Sequence, residues 1–582
     1  MWLSLALSAC VGILGRGYWT PDEPREADIS WRMSWQGEKA VPLLAGEAFC
    51  EKPPLTYWAA AAAIALGGDD AWVARLPNLL YALATALAVG LIGRASAGPL
   101  AGVVAAAAIS TFLLSYQVAI WLATDAPLLA TVAVALWGLY TGFYAKGTGE
   151  RLRGYSCMHA ALALGFLSKS AAAWMVPVLS LVTLVVWERR WRELLRWELY
   201  AGLSLQAALI LTWVWAVYVG ADGPAHLKVF FWNNLVGRFA HVDAPQELQY
   251  AAAHRNSPGK YLIELPVYLW PWTLLCLAAA RHAWRHRHLS VEQLRPVRFA
   301  VATFLPALGV LSIAATARNI YLAPALPGVA LLLGYWVRDL VAAHDRWDAG
   351  AVRATSMLLL LAVAAAAAAA VIIGRDSWDE MSARGLFVAV SFLGLVSAAA
   401  CAISAWRAAG QGQLLQGLFA LLLAYSALLV GPASQIYRRV DAWQDLATIG
   451  REIEGAAAGR PVILFAPDET TRAFVDMYAR TSVGLIPGPI TTASVERLRS
   501  RLSSEPQSLV VTQLPGRHSS RTFRELAAHL GLEGRLGPAP LFDDAQLPAW
   551  AADLKLRVAH LYALPNGRRY ALLEAGSVNA SR

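Results

Sequence analysis

Apolar runs of about twenty residues recur along the first 430 residues of this 582-residue chain, and each is long enough to cross a bilayer as a helix. Hydrophobic residues make up 57% of the chain and charged residues only 15%, which excludes an ordinary soluble globular protein. The sequence therefore predicts an α-helical polytopic membrane protein.

The spacing of the apolar runs predicts about thirteen transmembrane helices. Their expected positions are residues 1–15, 74–94, 97–120, 125–145, 155–168, 172–187, 199–219, 262–280, 299–316, 319–337, 354–373, 386–406 and 412–431.

Basic residues are distributed unevenly between the connections that join these spans. The connections on one face carry seventeen Lys and Arg residues, whereas the short connections on the other face carry only four: Lys169, Arg318, Arg375 and Arg384. Because basic loops stay in the cytoplasm, this bias places the N-terminus inside and the region after the last span outside. The net charge of +9 thus fits a membrane topology, and no nucleic-acid partner is predicted.

Three long elements fall on the predicted outer face. Two are loops, residues 16–73 and 220–261, within a transmembrane domain of residues 1–434. The third is residues 435–582, where the apolar runs "PVILFA" and "SLVVTQL" alternate with the amphipathic segments "TASVERLRSRL" and "RTFRELAAHLG". This alternation predicts a small C-terminal soluble α/β domain.

The densest carboxylates of the chain lie in the first outer loop, in "TPDEPREADISWRM". Pro24 is tolerated in a first helical turn, so Asp22 is expected near the start of a helix that runs to about residue 35, with Arg25 on the same face. One interpretation is a helix cap within a solvated run of charges. The other is a carboxylate held by an arginine beside a reacting centre.

A second charged motif, "FCEKPPLTYW", follows in the same loop. Its two prolines stiffen the chain and start a helix that carries Tyr57, so Lys52 is held in place next to Glu51. The motif is either a surface turn or an ammonium directed at a lipid phosphate at the membrane surface.

Two further charges lie at the ends of apolar runs, Asp125 in "WLATDAPLLA" and Lys169 in "GFLSKSAAAW". Charges in such places are costly and are functional candidates. The alternatives are a helix N-cap for Asp125 and a lysine that extends to the membrane surface for Lys169.

The remaining outer cations are Arg238 in "FFWNNLVGRFAH" and Arg318 in "ATARNIYLAPALPG", which also contains Tyr321. Each alone fits an interfacial belt of arginines and aromatic residues. Together with Lys52 and Lys169, however, they form a set of cations able to bind phosphate, near the two acids Asp22 and Asp125.

The order of these motifs resembles the GT-C glycosyltransferases, in particular the bacterial aminoarabinose transferase and protein mannosyltransferase superfamily. The resemblance rests on "PDEPREADISWRM", "EKPPLTYW", "ARLPN", "TDAPL", "GFLSKSAAA", "GRF" and "ARNIYLAPALP", taken in this order. It implies an inverting transfer of a sugar from a polyprenyl-phosphate donor on the periplasmic face of the bacterial inner membrane.

The resemblance also implies roles for individual residues. Asp22 and Asp125 correspond to the catalytic acid and the second acidic position. The expected phosphate-binding cations are Lys52, Lys169, Arg238, Arg318 and Arg25, with Glu51, Tyr57 and Tyr321 lining the same cavity.

Two departures from the family pattern bear on the acceptor and on metal binding. The Glu-His pair expected before the Arg-Phe of the long loop is replaced by "NLVGRF", and "KLPTY" is replaced by "ARNIY". His241 and His254 lie near but off register, so no metal near Glu51 and no other cofactor is predicted. The predicted partners are a polyprenyl-phosphate sugar, membrane lipids and an acceptor that is lipid A or another lipid or glycan.

Three other interpretations stay open at this point. The chain could be a protein O-glycosyltransferase of the same superfamily, a transporter or flippase for a lipid-linked substrate, or a binding protein whose C-terminal domain recruits a partner. Transporters commonly place their charges near the membrane midplane and are built from repeats. This sequence has no evident internal repeat, and its charges lie at the outer helix ends.

Overall fold

The computed structural model describes residues 2–14, 16–238, 259–314, 318–341, 344–375, 385–479, 483–514, 548–564, 566 and 568–575. Within these residues the first 430 positions are almost entirely helical. The N-terminal helices are α1 (Trp2–Ile13), α2 (Glu23–Trp35), α3 (Leu55–Gly67), α4 (Ala71–Arg75), α5 (Pro77–Ala97), α6 (Pro99–Thr111), α7 (Leu113–Ile120), α8 (Asp125–Phe143), α9 (Thr148–Lys169), α10 (Ala172–Trp187), α11 (Trp197–Ala201), α12 (Leu203–Tyr218) and α13 (Gly223–Leu227).

The second long loop begins with a π-helix and a short 3-10 helix, and helices resume after it. The π-helix is Lys228–Leu235 and the 3-10 helix is Val236–Arg238. The helices that follow are α14 (Lys260–Tyr268), α15 (Thr273–Arg285), α16 (Arg295–Ile313), α17 (Leu326–Leu340), α18 (Arg346–Arg375), α19 (Gly385–Gly410), α20 (Leu414–Val430) and α21 (Pro432–Trp443), with a 3-10 helix, Asn319–Ala325, directly before α17.

Each of the thirteen predicted spans coincides with a helix or with a bent pair of helices, but the count of thirteen is not confirmed. In the described part of the chain, seven helices are long and apolar enough to cross a membrane. The number is nine if the pairs α6–α7 and α14–α15, bent by 66° and 111°, each count as one span. Four predicted spans fall outside this count: α1, α10 and α20 have only 12, 16 and 17 residues, and α9 has 22 residues but carries Glu150, Arg151, Arg153 and Lys169.

The two most buried spans contact each other. Helix α8 is buried over 83% of its apolar window, and the stretch Asn319–Leu340 over 89%. Helix α9 packs so closely on α8 that a Cβ added at Gly138 would lie 2.5 Å from the backbone nitrogen of Met158. This close packing fixes the two helix ends that carry Asp125 and Lys169.

The first outer loop is folded against the ends of these helices. Helix α2 starts after Asp22 with Pro24 in its first turn, as predicted. A two-stranded hairpin follows, β1 (Leu43–Leu44) and β2 (Glu47–Ala48), whose turn residues Ala45 and Gly46 both have positive φ, as a tight two-residue turn requires. Helix α3 then begins directly after the proline pair, also as predicted.

The C-terminal region forms a five-stranded mixed sheet with helices. The strands β3 (Val462–Phe465), β4 (Val483–Ile486), β5 (Leu509–Leu514), β6 (Leu556–Ala563) and β7 (Arg569–Ala575) take the order β4-β3-β5-β7-β6. The pairs β3–β4 and β3–β5 are parallel, and the pairs with β7 are antiparallel.

The helices described in this region are α22 (Leu446–Ala457), α23 (Glu469–Ala479), α24 (Thr492–Ser504) and α25 (Ala549–Asp553). The predicted strands at 461–466 and 508–514 and the helix at 492–502 are confirmed. The predicted helix "RTFRELAAHLG" lies outside the described residues. The fold class is therefore a polytopic helical membrane protein with a small C-terminal α/β unit, and the boundary at residue 434 stays a prediction.

Candidate active site

Asp22 is buried at the start of helix α2 and is held by two arginines. Its side chain is 6% exposed, and Arg318 donates two hydrogen bonds to it, of 3.1 and 2.5 Å. Arg25, one turn along α2, donates a third bond of 3.1 Å. The structure thus joins the first outer loop to the segment between α16 and α17, since Asp22 and Arg318 are 296 residues apart in sequence.

The charges around Asp22 keep its carboxyl group ionised. Burial alone would raise the pKa of Asp22, but the charges of Lys52 and Arg25 and the hydrogen bonds from Arg318 outweigh it and lower the pKa well below the usual range. Because the Arg318 side chain is 39% exposed, the cluster is open to its surroundings on that side.

Lys52 and Arg25 meet at a second carboxylate, Glu26. The ammonium of Lys52 and the guanidinium of Arg25 each lie 2.7 Å from the same Glu26 oxygen. Burial opposes the ionised form of Glu26, but Lys52 and Arg25 lower its pKa. Lys52 therefore lies beside Asp22 without bonding to it, and Glu26 links the two motifs of the first loop.

Asp125 and Lys169 form the second acid–cation pair predicted from the sequence. Asp125 is the first residue of α8 and Lys169 the last residue of α9, and their charged atoms are 2.7 Å apart. The Lys169 ammonium also lies 4.6 Å from the centre of the Tyr321 ring. Because Tyr321 is three residues after Arg318, the 3-10 helix joins this pair to the Asp22 cluster.

The remaining predicted cavity residues lie around Glu26. Tyr57 is completely buried, and the pKa of its hydroxyl is raised first by burial and then by the charge of Glu26. Glu51 is close enough to influence both Arg25 and Tyr57, and its backbone carbonyl accepts a hydrogen bond from the side chain of Asn234. The backbone of Arg238 ends a 3-10 helix, but its side chain lies outside the described part of the chain.

Several buried polar atoms in and near these clusters lack a hydrogen-bond partner among the described residues. They include Nε of Arg25, Oε2 of Glu26, the hydroxyl of Tyr57 and Oγ1 of Thr124, which precedes Asp125. Buried polar atoms are normally paired, so unpaired ones beside two charged clusters fit a region that binds a polar ligand.

Glu23, next to Asp22, has a different environment. Its carboxylate is fully buried and is bound by the guanidinium groups of Arg16 and Arg75, which are also fully buried. The backbone nitrogens of Trp19 and Leu122 donate two further bonds of 2.8 Å. Glu23 thus attaches the start of α2 to the membrane helices, whereas Asp22 faces the open cluster.

The C-terminal α/β unit contributes a carboxylate that the sequence analysis did not identify. Glu469, at the start of α23, lies 2.5 Å from the second terminal nitrogen of Arg25. Nearby, Asp476 pairs with Arg32, and Arg472 donates to the carbonyl of Leu44. No local sequence pattern indicates these contacts, because their partners are more than 400 residues apart.

That no metal is bound near Glu51 stays a prediction. Within the described ranges, no group of three or more His, Cys, Asp or Glu side chains has a metal-site arrangement. His241 and His254 lie outside the described residues, so the ligand set around Glu51 stays a matter of prediction.

The fold is similar to that of a solved membrane protein over almost its whole length. ArnT from Cupriavidus metallidurans bound to undecaprenyl phosphate superposes with a TM-score of 0.70 and 18% sequence identity, covering 98% of this chain and 96% of ArnT. The apo state of ArnT matches with the same TM-score. The chain is therefore a multi-pass membrane protein with the GT-C fold of ArnT.

The chain is also similar in sequence to a family of glycosyltransferases and to two curated relatives. Residues 51–218 match the family model of dolichyl-phosphate-mannose-protein mannosyltransferase. An undecaprenyl phosphate-alpha-4-amino-4-deoxy-L-arabinose arabinosyl transferase from Pseudomonas paraeruginosa is 30% identical over 357 residues, which are 61% of this chain and 62% of that relative. A protein of the same name from Pseudomonas aeruginosa is 31% identical over 57% of this chain and 58% of its own length.

The matched region thus spans about three fifths of the length of these curated relatives. The resemblance to the aminoarabinose transferase and protein mannosyltransferase group, predicted from the order of the motifs, is confirmed.

Proposed function

We propose that the chain is an inverting glycosyltransferase that moves a sugar from an undecaprenyl-phosphate donor to lipid A or another periplasmic lipid or glycan. The observation that carries this proposal is the buried, ionised Asp22, held by Arg318 and Arg25 next to Lys52. The names of the curated relatives, which describe arabinosyl transfer with an undecaprenyl phosphate sugar, support the donor class.

The cations of the cluster match the chemistry of the proposed leaving group. When the bond from the anomeric carbon to the phosphate oxygen breaks, its electron pair stays on the lipid phosphate, which gains negative charge. Lys52, Arg318 and Lys169 have side chains 15%, 39% and 15% exposed, so they are partly shielded from water and still reachable by a ligand. Fixed cations in such surroundings stabilise developing charge more strongly than solvent does.

The role of Asp22 follows from its low pKa. In the resting site Arg318 and Arg25 neutralise it, so it is a weak proton acceptor. A donor phosphate that draws Arg318 and Lys52 toward itself weakens this stabilisation, and the pKa of Asp22 rises. Asp22 then accepts the proton of an attacking hydroxyl while the acceptor oxygen bonds to the anomeric carbon.

The role of Asp22 depends on the acceptor, and Asp125 acts on the donor. If the acceptor is an ionised phosphate, no proton needs to be removed, and Asp22 positions the sugar instead. Asp125, paired with Lys169, is proposed to hold the opposite side of the donor head group. The cations of the cluster supply the charge stabilisation, so the proposal includes no metal.

The proposed location is the bacterial inner membrane, with the N-terminus in the cytoplasm and the site and C-terminal unit in the periplasm. Its support is the unequal distribution of basic residues, seventeen against four, between the two sets of connections.

The test is release of undecaprenyl phosphate by the purified protein from undecaprenyl-phosphate aminoarabinose, and separately from the mannose-bearing donor. We expect Asp22→Asn to lower this release at least about 100-fold, because the base and the positioning charge are both lost. The matched control is Asp70→Asn, which changes an exposed carboxylate in the same loop and should leave turnover unchanged.

Unchanged turnover in a folded Asp22→Asn protein would contradict the proposal. Movement of labelled donor across proteoliposomes without cleavage would favour a flippase. Sugar attached to protein instead of lipid or glycan would favour the protein O-glycosyltransferase.

A further inference from the structure

We propose that this protein binds the phosphate head group of an anionic phospholipid at the membrane surface opposite to the candidate active site. The site is formed by Arg190, Arg295 and Arg298, which we term the far-end arginine cluster. The proposal does not depend on the glycosyltransferase activity.

The cluster lies at the helix ends that point away from Asp22. Helices α8 and α10 begin near Asp125 and Lys169, and they end at Phe143 and Trp187. Helix α16 runs the other way, from Arg295 toward Arg318. The 19 residues of α8 span about 28 Å, close to the thickness of a bilayer core. The two charged regions therefore lie at opposite membrane surfaces.

The three guanidinium groups rest on aromatic rings of these helix ends. Arg295 lies 4.6 Å from the centre of the Tyr144 ring, and Arg190 lies 4.2 Å from Phe143 and 5.9 Å from Tyr144. Arg298 lies 5.6 Å from the Trp187 ring. Stacking on rings fixes the position of a guanidinium but leaves its charge available to an anion.

The local carboxylates do not neutralise the cluster. Glu188 accepts the hydroxyl of Tyr144 at 2.7 Å, and Glu193 pairs with Arg190 at 3.1 Å and also with Arg196. Among the residues that the structure describes, neither Arg295 nor Arg298 has a carboxylate partner, and Nε of Arg298 is buried without a hydrogen bond. Arg295 and Arg298 thus carry positive charges that are not paired directly with a carboxylate.

The surroundings identify the ligand as a lipid. Trp187 is 44% exposed at the end of an apolar helix, so it faces the bilayer at head-group level. Unpaired arginines between membrane helices and beside an interfacial tryptophan match the phosphate of phosphatidylglycerol or cardiolipin. The general excess of basic loop residues explains how many cations lie on this face. It does not explain why Arg295 and Arg298 reach from α16 to rings at the ends of α8 and α10 without a direct acidic partner.

Native mass spectrometry of the full-length protein with added phosphatidylglycerol tests the proposal. We expect the double variant Arg295→Gln/Arg298→Gln to bind this lipid about 25-fold more weakly than the unchanged protein. The loss of each arginine near the membrane surface lowers the affinity about fivefold, and the two losses multiply. The matched control is Arg287→Gln, which removes an exposed arginine stacked on a single ring, Trp284, near the same surface. Its binding should stay within about twofold of the unchanged protein.

Further arms separate the alternatives. Arg295→Lys/Arg298→Lys keeps the charge and should bind more tightly than the glutamine pair, which also covers the case in which the glutamine pair fails to fold. Excess inorganic phosphate should not displace the lipid, whereas displacement would assign the site to a free anion. Equal loss in the control, or no loss in the double variant, would overturn the proposal.

Discussion

Glu23 and Asp22 are adjacent carboxylates, and the structure predicts opposite consequences when each loses its charge. The Glu23 oxygens accept six hydrogen bonds, three each, from Arg16, Arg75, Trp19 and Leu122. In Glu23→Gln one oxygen becomes an amide that faces three donors. Two fully buried guanidinium groups also lose their shared counter-charge.

The expected cost of Glu23→Gln is about 3–5 kcal/mol in the free energy of unfolding, the range typical for breaking a buried ion pair. Asp22→Asn should cost about 1 kcal/mol, because Arg318 is 39% exposed and can turn to water, while Arg25 keeps Glu26 and Glu469. Turnover per folded molecule should be retained in Glu23→Gln and lost in Asp22→Asn.

Titration with sodium dodecyl sulfate in mixed micelles, followed by tryptophan fluorescence, measures the difference in unfolding free energy between the two variants. Donor cleavage is then measured on protein that elutes as a single species. Two results together would refute the reasoning. Asp22→Asn would lower the free energy of unfolding as much as Glu23→Gln does, and the turnover of Asp22→Asn would fall only in proportion to the folded fraction.

Three further outcomes follow from the same contacts. Burial would raise the pKa of Glu23, but the charges of Arg16 and Arg75 outweigh it and lower this pKa from 4.5 to about 2. The stability that the ionised Glu23 contributes should therefore be fully present above pH 4.5 and lost as the pH falls toward 2. Unfolding free energies measured between these pH values test this. Lys52→Gln should raise the KM for donor about tenfold, with the exposed Lys39→Gln as a silent control in the same kinetic assay. Glu469→Gln should lower kcat about tenfold by releasing Arg25, with stability changed by less than about 1 kcal/mol, whereas Glu496→Gln on α24 changes neither.

Local sequence rules were sufficient to predict the elements that carry the site. Pro24 and the Pro53–Pro54 pair specify where α2 and α3 begin, and hydropathy places the helix ends at Asp125 and Lys169. The order of the motifs, recognised as a resemblance, predicted that Asp22 and Arg318 meet.

Other features depend on contacts between distant segments, which no local pattern encodes. Glu469 reaches Arg25 only because the α/β unit docks on α2. The role of Glu26 was not predicted, because it is one of several adjacent charged residues and the sequence does not show which of them pairs with Lys52. In the structure Glu26 bridges Arg25 and Lys52. The count of thirteen spans is not confirmed because apolar helices shorter than a full span, such as α20, have the same composition as full spans.

A structure determined with undecaprenyl phosphate bound is the most direct test of the central claim, that these clusters bind a lipid-linked phosphate. The account predicts a phosphorus atom within about 4 Å of the Lys52 ammonium and the Arg318 guanidinium, with Arg318 drawn away from Asp22. A phosphate bound elsewhere, with the Asp22–Arg318 pair intact and no ligand beside Lys52, would contradict it.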